Sequence, residues 1–391
     1  MIVGIVGAPN KGKSTIFSAL TMIDADIAAY PFTTIDPNLG VAYVSKECVE
    51  KELGVRCKPR NSLCNDGTRM IPVNIIDVAG LVPGAHLGKG MGNQFLNDLS
   101  EADALILVVD ISGKTDSSGN ASEHSDPVED INSIKNELGL WLSGIIKKHM
   151  KSLSKRNDGE AALLELLSGL KVSKEALRKA AEKNSLQLNK IEWTDIEVDR
   201  FSSTLMRSTK PMLVAANKLD ISSIEALKNL QNKEKNLKVI GCSGSIELAL
   251  RKAAMRNIIK YDPGASSFEM KSDVSEEQRD ALEYISRYLK EHKDSGIEDI
   301  LNYTVFNLLN MIVVYPVEDE NKYTDHFGNV LPDAILIKKG STAQDLAYKI
   351  HTDLGDRMLY AIDAKKKMRV SKDYILCDND VIKIVSSAKH Q

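Results

Sequence analysis

The sequence predicts an α/β protein: a doubly wound parallel sheet around a phosphate-binding loop, interrupted by an inserted helical (coiled-coil) arm and followed by a C-terminal β-grasp domain. Three observations carry that expectation. The stretch Gly7-Ala8-Pro9-Asn10-Lys11-Gly12-Lys13-Ser14 lies directly behind the apolar run Met1 to Val6, the strand, loop and helix order that gathers backbone N–H groups around a polyphosphate. Further apolar runs at Ile71 to Ile76, Ala104 to Val109 and Pro211 to Ala216 each end in polar residues, as strands of a parallel sheet do where ligands bind. Roughly a hundred residues separate Val109 from Pro211, whereas one crossover takes about thirty, so a further element is inserted there.

The first element sets the ligand class. Gly7 and Gly12 permit the turn and the close approach of phosphate, Lys13 reaches the outer phosphates, and Ser14 gives its hydroxyl to Mg2+. The whole run Asn10, Lys11, Gly12, Lys13, Ser14 and Thr15 is read as nucleotide-binding. Past the first helix, Ala29 to Asn38 forms a proline-punctuated loop with two hydroxyls, Thr33 and Thr34. Thr34 is favoured as the one that ligates magnesium and meets the γ-phosphate. The strand Ile71 to Ile76 then ends in Asp77-Val78-Ala79-Gly80. There Asp77 holds a magnesium water and Gly80 turns its N–H toward the γ-phosphate.

The base is read from Asn217-Lys218-Leu219-Asp220, behind the strand Pro211 to Ala216. A carboxylate at Asp220 accepts from both N1–H and the 2-amino group of guanine, a donor pair that adenine lacks on that edge. Asn217 holds the loop and approaches N7, and the Lys218 stem covers the base. Behind Leu237 to Ile240, the backbone of the run Gly241 to Ser245 is expected to donate to guanine O6, with Ser243 and Gly244 counted among the nucleotide-binding residues.

Gly7 to Ser14, Tyr30 to Thr34, Asp77 to Ala85, Asn217 to Asp220 and the C-terminal segment together resemble the Obg-like GTPases, in the YchF-related branch. The resemblance spans nearly the whole chain and implies a P-loop GTPase. Members described as preferring ATP lack the last aspartate of N-K-x-D; Asp220 resembles the archaeal and fungal side branch expected to bind GTP. Many relatives of the wider class place a water-orienting glutamine after D-x-x-G, where this chain has Leu81. Asn10 resembles the residue that coordinates K+ in some relatives and neutralises transition-state charge; an asparagine that only holds the loop accounts for it equally. His86, in a glycine-rich stretch, is a second candidate, with a solvated loop histidine the commoner case. The catalytic set expected is therefore Lys13, Thr34, Gly80 and Asn10, with Ser14, Thr34 and Asp77 at Mg2+.

Within the insertion, Asp126-Pro127-Val128-Glu129 reads as a capped helix start, and Val128, Ile131, Ile134, Leu138, Trp141 and Ile145 recur at helical spacing. Ala161 to Leu170, Ser173 to Ala181 and Trp193 to Met206 add further helical stretches, giving a helical hairpin or arm. After Ser245 the chain reads as helical to about Leu309. It then turns β-rich, with strands at Met311 to Val317, Ala334 to Ile337, Leu359 to Ile362 and Val381 to Val385. A helix opened by a capping box at Ser341-Thr342-Ala343-Gln344 lies among them. Leu331 to His351 resembles a TGS domain, which implies contact with RNA or the ribosome. From Leu331 onward eleven Lys and Arg stand against eight Asp, a net +3.

The expected organisation is residues 1–111 and 207–305 for the GTPase domain, 112–206 for the helical insertion and 306–391 for the TGS domain. A hydrophobic fraction of 43%, 27% charged residues and a net charge of −3 suit a globular protein whose attraction to nucleic acid must be local. The apolar start has no charged leader region, and no run reaches a membrane span, so a cytoplasmic monomer without membrane contact is expected. Five cysteines without C-x-x-C spacing argue against a zinc site and a disulfide framework, with Cys48, Cys57 and Cys64 read as incidental thiols before redox-active ones. Three functions follow: a GTP-hydrolysing switch acting on ribosomes or RNA, an ATPase of the YchF type, or a non-catalytic RNA-binding adaptor.

Overall fold

The computed structural model describes residues 1–22, 38–78, 84 and 99–387. They form two compact units: Met1–Met22, 38–40 and Asn74–Ile300 in the first, Val41–Val73 and Leu301 onward in the second. The span 41–73, expected within the nucleotide-binding domain, thus belongs with the C-terminal unit.

The main sheet contains β1 (Ile2–Val6), β2 (Leu39–Glu47), β3 (Leu63–Asn65), β4 (Thr68–Asp77), β5 (Ala104–Asp110), β6 (Met212–Asn217) and β7 (Lys238–Gly241) in the order β2-β4-β1-β5-β6-β7, with β3 paired to β4. Strand β1 runs parallel to β4 and β5, and β5, β6 and β7 continue parallel. Every residue of β5 and β6 is buried, as a parallel sheet covered on both faces requires. The register matters most: Ile5 lies beside Asp77, Asp110 beside Asn217, and Ala216 beside Gly241. Three polar strand ends therefore share one edge with the loop that follows β1.

Helix α1 (Lys13–Thr21) follows that loop, and α2 (Glu50–Leu53) lies in the second unit. The insertion contributes α3 (Pro127–Leu153), α4 (Gly159–Leu166), α5 (Lys174–Lys183) and α6 (Asp195–Thr209). Asp126 caps α3 by accepting from the Val128 N–H at 3.0 Å, with Pro127 in the first turn. Helices α3 and α6 form an antiparallel hairpin, because Ser143 donates to Asp199 at 2.5 Å and Gly139 lies against Ser203. Ile131, Trp141, Leu163, Leu177 and Phe201 share one hydrophobic cluster with Val6, Leu107 and Val214. The hairpin is thus rooted in the core of the sheet.

Helices α7 (Ile224–Lys233) and α8 (Gly244–Met255) follow β6 and β7. The expectation of unbroken helix to Leu309 needs correction: a two-stranded ribbon of β8 (Ile259–Lys260) and β9 (Glu269–Met270) interrupts it before α9 (Glu276–His292) and α10 (Ile297–Asn302). Asn257 and Gly264, both at positive φ, turn the chain there. In the second unit β10 (Met311–Pro316), β11 (Ile335–Lys338), β12 (Met358–Asp363), β13 (Met368–Val370) and β14 (Asp380–Ser386) form a sheet in the order β11-β10-β14-β12-β13. Helix α11 (Ala343–Ile350) packs its Leu346 and Ala347 into the core of that sheet, and a short α12 (Thr352–Arg357) follows. The cap of α11 is Thr342 with Asp345, one residue later than expected, and its box closes through a carboxylate. Among the described residues no helix is long and apolar enough to cross a membrane.

Candidate functional site

The loop between β1 and α1 is shaped by close approaches that only glycine allows. A Cβ on Gly7 would lie 2.5 Å from the Val108 carbonyl oxygen, and one on Gly12, at φ +93°, would lie 2.2 Å from Asn217 Nδ2. Gly12 caps α1, whose first-turn N–H groups, those of Lys13, Ser14 and Thr15, have no carbonyl partner within the helix. The result is a cradle of donors at a positive helix end. Lys13 Nζ donates to the Ala8 carbonyl at 3.0 Å. Burial pulls its ammonium below the usual lysine range, while the Asp77 carboxylate supports its charge.

Ser14 and Asp77 meet as the register requires. Ser14 Oγ donates to Asp77 Oδ2 at 2.8 Å, and the other carboxylate oxygen of Asp77 is buried with no hydrogen-bond partner. Burial lifts this carboxyl above the ordinary aspartate range, against the opposing pull of Ser14 and Lys13. A hydroxyl and an unsatisfied carboxylate oxygen beside a phosphate cradle are the hard donors that Mg2+ takes, so these residues fit that ion. The remaining expected ligand Thr34, the γ-phosphate contact Gly80, and Leu81 and His86 lie outside the described residues.

The base-reading loop is tied to the phosphate loop by one side chain. Asn217 Nδ2 donates to the Lys11 carbonyl at 2.9 Å, and Asn217 Oδ1 accepts from the Gly244 N–H at 3.0 Å. Lys218, at φ +66°, donates from Nζ to Asp110 Oδ2 at 2.8 Å. Asp220 Oδ1 accepts from Ser243 Oγ at 2.7 Å and Oδ2 from Ser245 Oγ at 3.3 Å. Two hydroxyls therefore aim this carboxylate. The expectation for Ser243 and Gly244 needs correction: their N–H groups are spent on the Ser295 carbonyl and Asn217. The adjacent Ser245 N–H, in the first turn of α8, has no carbonyl partner within that helix.

The side chain of Lys11 does not join the cradle. Its ammonium is fully buried, 2.7 Å from Asp130 and donating to the Thr115 carbonyl at 2.8 Å, so its side chain braces the loop from behind. Asn10, at φ +60°, donates from Nδ2 to the Gly119 carbonyl at 2.9 Å, which leaves its amide oxygen as the atom an ion would use. Asp110 organises the segment behind both. It accepts from Ser112, Thr115 and Lys218, and these bonds outweigh the effect of burial and hold its carboxyl below the ordinary range. Sequence reasoning missed Asp110, Asp130 and Tyr284, whose hydroxyl donates to the Asp220 carbonyl at 2.8 Å. Asp110 alone had a signal, standing at the end of an apolar strand as Asp77 does. The thiols of Cys48, Cys57 and Cys64, read as incidental, converge in the second unit.

Residues 2–148 match the family described as 50S ribosome-binding GTPase, residues 215–319 the Obg-like GTPase YGR210-like, G4 motif-containing domain, and residues 327–386 the TGS domain. An uncharacterized GTP-binding protein of Methanocaldococcus jannaschii is 51% identical over 99% of this chain and 100% of its own length. The Ribosome-binding ATPase YchF of Bacillus subtilis is 27% identical over 97% of each chain. A solved structure of a GTP binding protein from Pyrococcus horikoshii superposes with a TM-score of 0.80 at 39% identity, covering 99% of this chain and 100% of that one.

Proposed function

Because the chain belongs to the Obg-like GTPases, in their YchF-related branch, we propose that it binds GTP and hydrolyses it to GDP and phosphate as a switch that engages ribosomes or RNA. The observation that carries the guanine assignment is the Asp220 carboxylate, aimed by the hydroxyls of Ser243 and Ser245 at the edge shared with the phosphate loop. An aimed, charged acceptor suits the N1–H and 2-amino pair of guanine and leaves adenine with no matching donors. The first-turn N–H groups of α1 and Lys13 hold the β- and γ-phosphates. Mg2+ held by Ser14 and Asp77 would neutralise charge on those phosphates. Asn10, whose amide oxygen is uncommitted by its bond to Gly119, is the protein atom we assign to K+ at the same phosphates. The TGS domain and the helical hairpin are the parts we assign to the ribosome or RNA.

Phosphate release from GTP and from ATP, with Mg2+, ribosomal subunits and either K+ or Na+, tests this reading. GTP should be consumed and ATP spared, K+ should accelerate turnover over Na+, and Asn10→Ala should abolish that difference between the ions. Preferential ATP turnover would establish the YchF-type ATPase instead, and no turnover of either nucleotide would leave the non-catalytic adaptor.

A further inference from the structure

In the second unit Cys48, Glu50, Cys57 and Cys64 each present one ligand atom, and all four atoms lie within 4.8 Å of one another. They come from separate pieces of chain. Cys48 follows β2 and is pinned by its N–H, which donates to the Gly67 carbonyl at 2.8 Å in the turn between β3 and β4. Glu50 opens α2, Cys57 lies in the loop beyond it, and Cys64 sits in β3. Glu50 draws the set together: its Oε2 accepts from the Cys57 N–H at 2.7 Å and its Oε1 from the Cys64 thiol at 3.3 Å. Cys48 is buried, and Cys57 and Cys64 are half-buried.

The spacing and the chemistry agree on one class of ion. Tetrahedral zinc, with thiolates at about 2.3 Å and a carboxylate oxygen at about 2.0–2.2 Å, sets neighbouring ligand atoms roughly 3.5–3.8 Å apart. The four atoms here reach that arrangement by drawing in by about 1 Å or less. Three sulfurs select a soft or borderline metal over Mg2+ or Ca2+.

A second observation points the same way. Arg69 stands directly opposite Cys64 in the pairing of β3 with β4. It is fully buried, its Nε and Nη1 have no hydrogen-bond partner, and its charge acts on Cys48, Glu50 and Cys57. A buried guanidinium needs countercharge, and beside neutral thiols the Glu50 carboxylate is what this cluster supplies. Three thiolates and one carboxylate around Zn2+ carry about −2, of which the single positive charge of Arg69 offsets half.

We propose that Cys48, Glu50, Cys57 and Cys64 form a closed structural zinc site. Binding releases the three thiol protons and leaves the metal no open position, so the site does no chemistry. Its effect is to fix the loop between Cys48 and Cys64. From that loop the Lys58 N–H donates to the Val330 carbonyl at 2.8 Å, the Arg60 N–H to the Pro332 carbonyl at 2.7 Å, and the Arg60 guanidinium to Asp333 at 2.8 Å. Zinc therefore holds the anchor of the C-terminal sheet.

Elemental analysis of the full chain, made in zinc-supplemented medium and purified in reductant without chelator, tests the site. About one zinc per chain should survive gel filtration. Cys57→Ser should lower that content severalfold, while Cys377→Ser, which removes an exposed thiol outside the cluster, should leave it unchanged. Should Cys57→Ser fail to fold, the wild-type chain loaded with Co2+ gives a second readout, a thiolate-to-cobalt charge-transfer band in the near ultraviolet with the intense visible bands of a tetrahedral ion. Zinc far below one per chain with all five thiols reactive, iron in its place, a disulfide joining two of the three cysteines, or octahedral cobalt bands would each overturn the proposal.

Discussion

Lys11 is identified by its motif as part of the phosphate loop, yet its ammonium faces away from the cradle into a buried pair with Asp130 in the first turn of α3. Removing one partner of such a pair leaves the other charge buried and uncompensated, which costs more than the pair itself contributes. Asp130→Ala should therefore lower the free energy of unfolding by about 3 kcal/mol, read from urea denaturation, and should weaken nucleotide binding by loosening the loop. An unchanged midpoint would mean that Lys11 finds another partner or that the pair is idle. Asp130 was illegible in the sequence because nothing local marks it: it lies 119 positions from Lys11 and reads as one more acid near a capped helix start. Asp220 was legible because a four-residue motif fixes it to a strand end, whereas the hydroxyls that aim it come from a loop whose side chains no short pattern assigns.

At the scale of elements, the four strands β1, β4, β5 and β6 were visible as apolar runs because a parallel sheet is buried on both faces. Strand β2 and the β3 hairpin were not visible. Their residues mix polar and apolar side chains, and the pairing of Cys64 with Arg69 exists only once the hairpin forms. The α3 and α6 hairpin was read from its helical periodicity, but its closeness depends on one residue. A Cβ on Gly139 would lie 2.5 Å from Ser203 Oγ and 3.3 Å from Ser203 Cα, while Gly144, one turn along, meets nothing within 4 Å. Gly139→Leu should push the helices apart and cost about 1–3 kcal/mol, seen as a fall in Tm. Gly144→Ala should raise stability by roughly 0.5–1 kcal/mol through helix propensity. Equal effects at the two sites would refute the close packing.

For the whole molecule, the order of the motifs along the chain and the register of the strands together bring Gly12, Asp77, Asn217 and Asp220 to one edge of one sheet. That convergence was legible because each motif follows its own buried strand. The division of the molecule was not, since the segment 41–73 belongs with residues some 260 positions later, a long-range association that local patterning does not encode. The account stands on the claim that this edge reads guanine through Asp220. Calorimetric titration with GTP, ATP and XTP, on the native chain and on Asp220→Asn, tests it most directly. The native chain should bind GTP and leave ATP unbound at the same concentrations. Asp220→Asn should lose about 1.5–3 kcal/mol toward GTP, roughly a 10- to 150-fold weakening, and gain affinity for XTP, whose 2-oxo group accepts from an amide. Binding of ATP as tight as GTP, or a base preference that Asp220→Asn leaves unaltered, would contradict the account.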